Sequence, residues 1–229
     1  MGRFIIEETE KFVKEYLENV EPGHNWWHIF RVRQLALYIF SAEEKGDPYV
    51  IELAALLHDV GDNKIDKRNN GPLLVRNFLN RLGLGTENID KITCIMEHIS
   101  FRDSFKRLDK KLPELDIVQD ADRLDALGAI GIARTFSYSG SKNFEIYTPG
   151  EEAADYKSSL EYESSRSSTI NHFYEKLLKL KDMMNTNTGR KLAEERHSYM
   201  EDFLRQFYRE WDIGLSPRPV HPGNGDPAT

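Results

Sequence analysis

The chain has 229 residues, a formal net charge of −7 at pH 7 and a single cysteine, Cys94. This length provides for one large or two small domains with a sizeable core. The negative charge gives no overall basic field for holding nucleic acid, and a lone cysteine excludes disulfides within the chain. No run approaches the roughly 18 apolar residues of a membrane span, and the charged start MGRFIIEETEKF is unlike a signal peptide. We therefore expect a cytoplasmic protein that binds neither nucleic acid nor membranes.

Helical periodicity dominates the sequence, so the predicted fold class is all-α. Val32, Leu35 and Ile39 follow one another at spacings of three and four, which places them on one helical face. Asp47-Pro48 is a helix start signal and precedes a second apolar stripe. In chain order, helices are predicted near 2–20, 24–45, from 48 onward, 72–83, 86–99, 113–137, 167–184 and 188–211.

Three segments interrupt the helical pattern. Residues 62–72, DNKIDKRNNGP, are polar and end in Gly-Pro, which predicts a loop. Residues 139–168 are rich in Ser, Glu, Lys and Tyr, and a loop of this length is usually a functional lid or disordered. Residues 214–229 contain four prolines and are expected to form a disordered tail. Because no clean linker divides the rest, we predict a single helical domain over 1–213.

The segment LAALLHDVGDNK, which starts at Leu53, ends an apolar helical run in two acids, Asp59 and Asp62. Negative charge is unfavourable at the C-terminus of a helix, so a positive partner is expected there. His58 shares a helical face with the apolar residue Ile51 and is therefore predicted to point inward. The pair His58-Asp59 is thus a candidate for binding a cation.

Two further polar residues lie on predicted inward faces. His28 shares a face with Val32. Asp122 lines up with a stripe of small residues suited to close helix packing, at Ala126, Ala129 and Ala133. A single buried histidine is commonly just hydrogen-bonded in the core. A buried carboxylate is costly unless it is paired or binds a metal, and Asp122 could be paired with Arg31 or Arg123.

The combination of these residues favours a metal site over separate structural roles. Two imidazoles and two carboxylates, from His28, His58, Asp59 and Asp122, form a mixed nitrogen and oxygen set. Such a set suits Mn²⁺, Fe²⁺, Co²⁺, Ni²⁺ or Zn²⁺ better than Ca²⁺. Four protein ligands also leave positions on the ion for water and a phosphate oxygen.

The order His28, His58-Asp59, Asp122 resembles the HD superfamily of metal-dependent phosphohydrolases, in which these motif residues bind the catalytic ion. The segments NWWHIFRV, ELAALLHDVGD, EHISF, VQDADRLDALGAIGIARTF and NHFYEKLLKL are similar to the branch of bacterial HD-domain deoxynucleoside triphosphate pyrophosphohydrolases. The resemblance runs from about residue 24 to 211. It implies an HD-type helical bundle with additional C-terminal helices.

The resemblance also implies how many ions are bound. Superfamily members with two metals carry two more histidines between the His-Asp pair and the final aspartate. This chain has only His98 in that interval and contains no GYP motif. The resemblance therefore implies one divalent transition metal ion, with Mn favoured over Co, Ni, Fe or Zn, and argues against cyclic-dinucleotide phosphodiesterase activity.

The implied substrate is a small-molecule nucleotide, a (deoxy)nucleoside triphosphate cut to monophosphate and pyrophosphate. Asp62 is the candidate general acid/base, since family members often carry a catalytic acid three residues after the motif aspartate; a capping role is the alternative. Lys64, Arg31 and His98 are candidate substrate ligands, because cationic side chains and imidazole N–H groups bind phosphate. Lys64 and Arg31 could equally pair with acids, and His98 could have a core or capping role.

Other functions stay open at this level. The same superfamily contains nucleoside monophosphate phosphatases and phosphodiesterases. A member of another class would be a non-catalytic nucleotide-sensing module, or a helical scaffold in which the His-Asp cluster only ties helices together. The base, the sugar and the formation of a homodimer are also open.

Overall fold

The computed structural model describes residues 2–18, 25–61, 70–99, 112–155 and 167–212. Within these ranges every regular element is a helix, which confirms the all-α prediction. None of these helices combines the length and the apolar content needed to span a bilayer. The elements in chain order are α1 (Gly2–Tyr16), α2 (Trp26–Glu43), α3 (Pro48–Leu57), α4 (Gly71–Arg81), α5 (Thr86–His98), α6 (Pro113–Asp125), α7 (Gly128–Ser141), α8 (Thr169–Glu175), a 3₁₀ helix (Leu177–Met183) and α9 (Asn187–Trp211).

Helix α3 lies at the centre of the fold, where α1, α2, α5 and α6 pack against it. Asp47 caps its start by accepting a hydrogen bond from the Tyr49 amide, and Pro48 occupies the first turn. Its buried residues lie on nearly every side of the helix: Val50, Ile51, Leu53, Ala54, Ala55, Leu56 and Leu57. A helix that is apolar all round needs neighbours on all sides. Its end therefore delivers the next residue, His58, into the interior of the protein.

The helix predicted over 113–137 is in fact two helices, so this prediction is wrong. Helix α6 ends at Asp125, and α7 begins at Gly128, whose φ of 69° lies in the left-handed region that favours glycine. Gly131 packs tightly against this turn, because a Cβ added there would lie 2.2 Å from the carbonyl oxygen of Ala126. The chain can reverse sharply here because two glycines remove side chains from the turn.

Because of this break, the predicted stripe of small residues does not lie on a single helix. Ala129 and Ala133 lie on α7 and are exposed, so they do not line up with Asp122 on a packed face. The region predicted as one helix over 167–184 is α8 followed by the 3₁₀ helix. The loop predicted to begin at residue 139 begins three residues later, after the end of α7; residues 156–166 and the predicted tail at 214–229 lie outside the described residues.

Two carboxylates, one buried and one half-buried, fix the start of α9. Asp120 on α6 accepts hydrogen bonds from the amide of Thr186 at 2.7 Å and from its hydroxyl at 2.8 Å. Glu43 at the end of α2 accepts from the amide and the hydroxyl of Thr188 at 2.8 and 2.9 Å. Anionic groups are favourable at a helix N-terminus, where backbone N–H groups lack partners. The C-terminal helix is therefore attached to the domain through specific polar contacts as well as apolar packing.

Gly189→Ala is expected to lower the free energy of unfolding by about 1–3 kcal/mol, the usual cost of overpacking a tight site. The added Cβ would lie 2.3 Å from Oδ2 of the buried Asp120. Urea unfolding followed by circular dichroism measures this change. Gly140→Ala is the matched control, because this helical glycine has no atom within 4 Å of an added Cβ and the change should be neutral or slightly stabilising. Equal losses in both variants would contradict the packing described for α9.

Candidate metal centre

Three helices bring the four predicted metal ligands together. Asn25 caps α2 by accepting hydrogen bonds from the amides of Trp27 and His28, and this places His28 in the first turn. His58 follows directly on the buried helix α3. Asp122 lies on α6, one turn before that helix ends. Because α2 and α3 pack against each other and α6 packs against both, the three sites face a common point.

The distances between ligand atoms show how close the convergence is. His28 Nε2 lies 3.2 Å from His58 Nε2, 3.3 Å from Asp59 Oδ2 and 3.5 Å from Asp122 Oδ1. His58 Nε2 lies 3.5 Å from Asp59 Oδ1 and 3.8 Å from Asp122 Oδ1. Ligand atoms of His28, His58 and Asp59 all lie within 4.8 Å of one another. Asp122 approaches this group of three from one side and comes within 4 Å of both imidazoles.

Three of the four side chains in the cluster are buried, and the fourth is partly exposed. The side chains of His28, His58 and Asp59 are at most 9% exposed, whereas that of Asp122 is 34% exposed. The low exposure of the first three residues strengthens electrostatic interactions among them, because little water screens their charges. Of the four residues, Asp122 is therefore the one most accessible to solvent.

The hydrogen bonds of the two imidazoles show that the cluster suits a cation. His28 Nδ1 donates to Asp125 Oδ2 at 2.7 Å, and His58 Nδ1 donates to the carbonyl oxygen of Ala55 at 2.9 Å. In the neutral imidazoles both Nε2 atoms are therefore acceptors, and they face each other and two carboxylates. Two nitrogens that each lie about 2.1 Å from one ion are about 3.0 to 3.4 Å apart at octahedral or tetrahedral angles. The observed 3.2 Å between the Nε2 atoms falls within this range.

The electrostatics of His28 agree with an excess of negative charge at this point. Burial by itself would lower the pKa of His28, yet hydrogen bonds with Asp125 and Asp59 outweigh it and hold this pKa above its ordinary value. For Asp125 the two effects have the opposite signs. Burial by itself would raise the pKa of this acid, but hydrogen bonds from His28 and Arg31 hold the pKa below its ordinary value. The carboxylates around His28 thus favour a positive charge on its imidazole.

Asp125 is a residue that the sequence analysis missed. Its carboxylate binds Arg31 as well as His28, through Nε at 2.6 Å and Nη2 at 2.9 Å. An acid in the last turn of a helix would have been a signal, as it was for Asp59, because negative charge is unfavourable there. The prediction of one continuous helix over 113–137 hid this signal, since it placed Asp125 in the middle of the helix.

The two arginines that could have paired with Asp122 are directed to other acceptors. Arg31 pairs with Asp125, and Arg123 donates to the backbone carbonyl of Met183. Arg31 therefore forms an ion pair, which was the alternative to a contact with substrate, but its partner is Asp125 and not Asp122. Arg31 also borders a cavity of about 660 Å³, a volume typical of small-molecule sites. Its predicted contact with substrate stays a prediction.

His98 is not among the clustered ligands in the part of the chain that the structure describes. His98 ends α5, and its Nδ1 donates to the carbonyl oxygen of Cys94 at 2.8 Å, which fits the capping alternative. Asp62 and Lys64 lie outside the described residues.

Comparisons with known proteins agree with this geometry. A family profile described as the HD domain matches residues 26–127, the stretch that contains all four predicted ligands. The protein YpgQ of Bacillus subtilis is 42% identical over 206 residues, which are 89% of this chain and 92% of that protein. This relative is described as uncharacterized.

Solved structures show the same similarity. A crystal structure described as an HD-superfamily hydrolase from Bacillus thuringiensis is 42% identical, with a TM-score of 0.72 over 92% of this chain and 98% of that one. A crystal structure of Bacillus subtilis YpgQ in complex with ADP is 38% identical, with a TM-score of 0.72 over 90% of this chain and 97% of that one. The similarity therefore covers the C-terminal helices as well as the region of the HD profile.

Chelator-stripped protein is expected to bind Mn²⁺ stoichiometrically, and His58→Ala or Asp122→Ala to lose most of it, because each removes a ligand from the set. Elemental analysis after gel filtration measures the metal content. Glu194→Ala is the control, since Glu194 is an exposed acid on α9. Metal content that is undiminished in both cluster variants would show that the ion binds elsewhere.

Proposed function

Because the chain belongs to the HD superfamily, we propose that it is a divalent-metal-dependent phosphohydrolase that acts on nucleotides. The proposed reaction is hydrolysis of (deoxy)nucleoside triphosphates to monophosphate and pyrophosphate. The observation that carries this proposal is the pair of Nε2 acceptors, 3.2 Å apart, with two carboxylates around them. The complex of YpgQ with ADP supports a nucleotide as the ligand class.

The proposed ion would be held by His28, His58, Asp59 and Asp122. A divalent ion bound there supplies a water of lowered pKa and polarises a phosphate oxygen. The chain itself supplies the setting: the two imidazoles present Nε2 lone pairs, and the two carboxylates balance the positive charge. The partial exposure of Asp122 leaves one side on which a phosphate can approach.

The other roles are proposed for Arg31, for His98 and for two residues that follow His58-Asp59 in the sequence. Asp62 is the proposed general acid/base, and Lys64 the proposed phosphate ligand. Arg31 and His98 are proposed as further substrate ligands. Arg31 uses Nε and Nη2 for Asp125, so a phosphate contact would use its other terminal nitrogen, Nη1. His98 uses Nδ1 for its own helix, which leaves Nε2 as the ring atom for a contact.

Metal-loaded protein is expected to release pyrophosphate from a panel of deoxynucleoside and nucleoside triphosphates. Asp62→Asn is expected to lower kcat by about 100-fold or more, the usual contribution of a general acid or base. Phosphate is measured with and without added pyrophosphatase, so that pyrophosphate and inorganic phosphate are counted separately. Asp66→Asn, a change in the same sequence segment, is the matched control. Its turnover should equal that of the unaltered protein.

The same assay separates the proposal from its alternatives. Inorganic phosphate released from nucleoside monophosphates would identify a phosphatase of the same superfamily. Saturable nucleotide binding to metal-loaded protein without turnover would identify a sensing module. An unchanged kcat in Asp62→Asn would remove Asp62 from the mechanism without affecting the assignment of the metal ligands.

A further inference from the structure

Asp125 is a buried carboxylate held by three cationic or N–H-donating side chains. Its side chain is 2% exposed and accepts from His28 Nδ1 at 2.7 Å, from Arg31 Nε at 2.6 Å and from Arg134 Nη1 at 2.7 Å. It is also the last residue of α6, where a negative charge is unfavourable. A buried negative charge at a helix end is costly in free energy unless partners compensate it. The partners of Asp125 come from two other helices.

The turn after α6 brings one of these partners into place. The chain reverses between Asp125 and Gly128, and Arg134 then lies on the second turn of α7. Arg134 Nη1 donates to the backbone carbonyl of Asp125 at 3.2 Å as well as to its carboxylate. The guanidinium thus binds both the end of α6 and the side chain that projects from it, which fixes the position of the Asp125 carboxylate.

We propose that Asp125 is a positioning residue for the metal centre, which orients the imidazole of His28 and keeps its Nε2 available as a ligand. The proposal rests on the metal-binding role of His28 proposed above. Because the carboxylate accepts from Nδ1, the proton of the neutral imidazole stays on Nδ1, and Nε2 turns its lone pair toward His58 and Asp59. A carboxylate in this position also raises the basicity of the ligand nitrogen.

The two arginines hold the same carboxylate: Arg31 binds Oδ1 and Oδ2, and Arg134 binds Oδ2, the oxygen that also accepts from His28. Arg31 binds both oxygens of Asp125, a bidentate contact that defines the plane of the carboxylate. With Arg31 on α2 and Arg134 on α7, the carboxylate cannot rotate without breaking bonds to two helices. Oδ2 therefore stays in line with Nδ1 of His28.

The competing explanation is that Asp125 has a purely structural role, in which its ion pairs tie α2 to α7. It predicts that loss of Asp125 lowers stability and leaves the metal affinity of the folded protein unchanged. The positioning role predicts a change in metal affinity that loss of an equally buried acid does not produce. Asp120 provides this comparison, since it is a buried acid on the same helix that binds the start of α9.

The test is isothermal titration of chelator-stripped protein with Mn²⁺, at a temperature where circular dichroism shows each variant to be folded. Asp125→Asn and Asp125→Ala are expected to raise the Kd for Mn²⁺ by 10- to 100-fold, the usual effect of removing the partner of a metal-bound histidine. Asp120→Asn is expected to lower the unfolding midpoint and to leave the Kd within about twofold of the unaltered protein. An equal Kd in the unaltered protein and both Asp125 variants would overturn the positioning role.

A second measurement needs no change at Asp125. In Zn²⁺-loaded protein with ¹⁵N-labelled histidine, the His28 ring is expected to carry its proton on Nδ1, protected from exchange by the Asp125 carboxylate. The His28 signal is identified by its absence in His28→Gln. A proton on Nε2 would overturn the proposal. If the unaltered protein binds no Mn²⁺ or Zn²⁺ at all, the proposed function itself fails, which is a different result from equal affinities.

Discussion

Acceptor atoms from four side chains face one another inside a helical core, and this arrangement needs a positive charge among them. The Nε2 atoms of His28 and His58 lie 3.2 Å apart, and carboxylate oxygens lie within 4 Å of both. Without a cation, these groups would repel one another in a setting with little water to screen them. The central position of α3 and its packing against α2 and α6 bring these groups to one point.

Three acids on one helix show how the surroundings decide what a carboxylate does. Asp120 is fully buried and holds the start of α9, Asp122 is partly exposed beside the imidazoles, and Asp125 is bound by two arginines and His28. They lie within six residues on α6, but the helical turn directs them to different neighbours. The helix thus joins the candidate metal centre, the second layer of contacts around it and the C-terminal helix.

The candidate site and the C-terminal part of the chain are connected through this helix. The HD profile ends at residue 127, whereas the similarity to YpgQ covers 89% of the chain. Helix α9 lies outside the profile, yet it packs against α2, α6 and α7, and its first turn is bound by Asp120 and Glu43. These contacts bear on the site because they support the two helices that carry His28 and Asp122. The additional helices therefore form part of the structural support of the site.

The sequence by itself determined the helical class, the start of α3 at Asp47-Pro48 and the inward faces of His28 and His58, because these depend on local periodicity and capping. Asp122 was included because of a stripe of small residues that proved not to lie on one helix, and the resemblance to the HD superfamily supported the same residue. Only the tertiary structure decided where α6 ends and which acid pairs with Arg31. It also decided the contacts by which Asp125, held by Arg134, supports His28. The helix break depends on a left-handed glycine and a close backbone contact, and neither follows from hydrophobic periodicity. Arg31 pairs with Asp125 and not with Asp122 because of the distances between helices that are far apart along the chain. No local sequence pattern contains these distances.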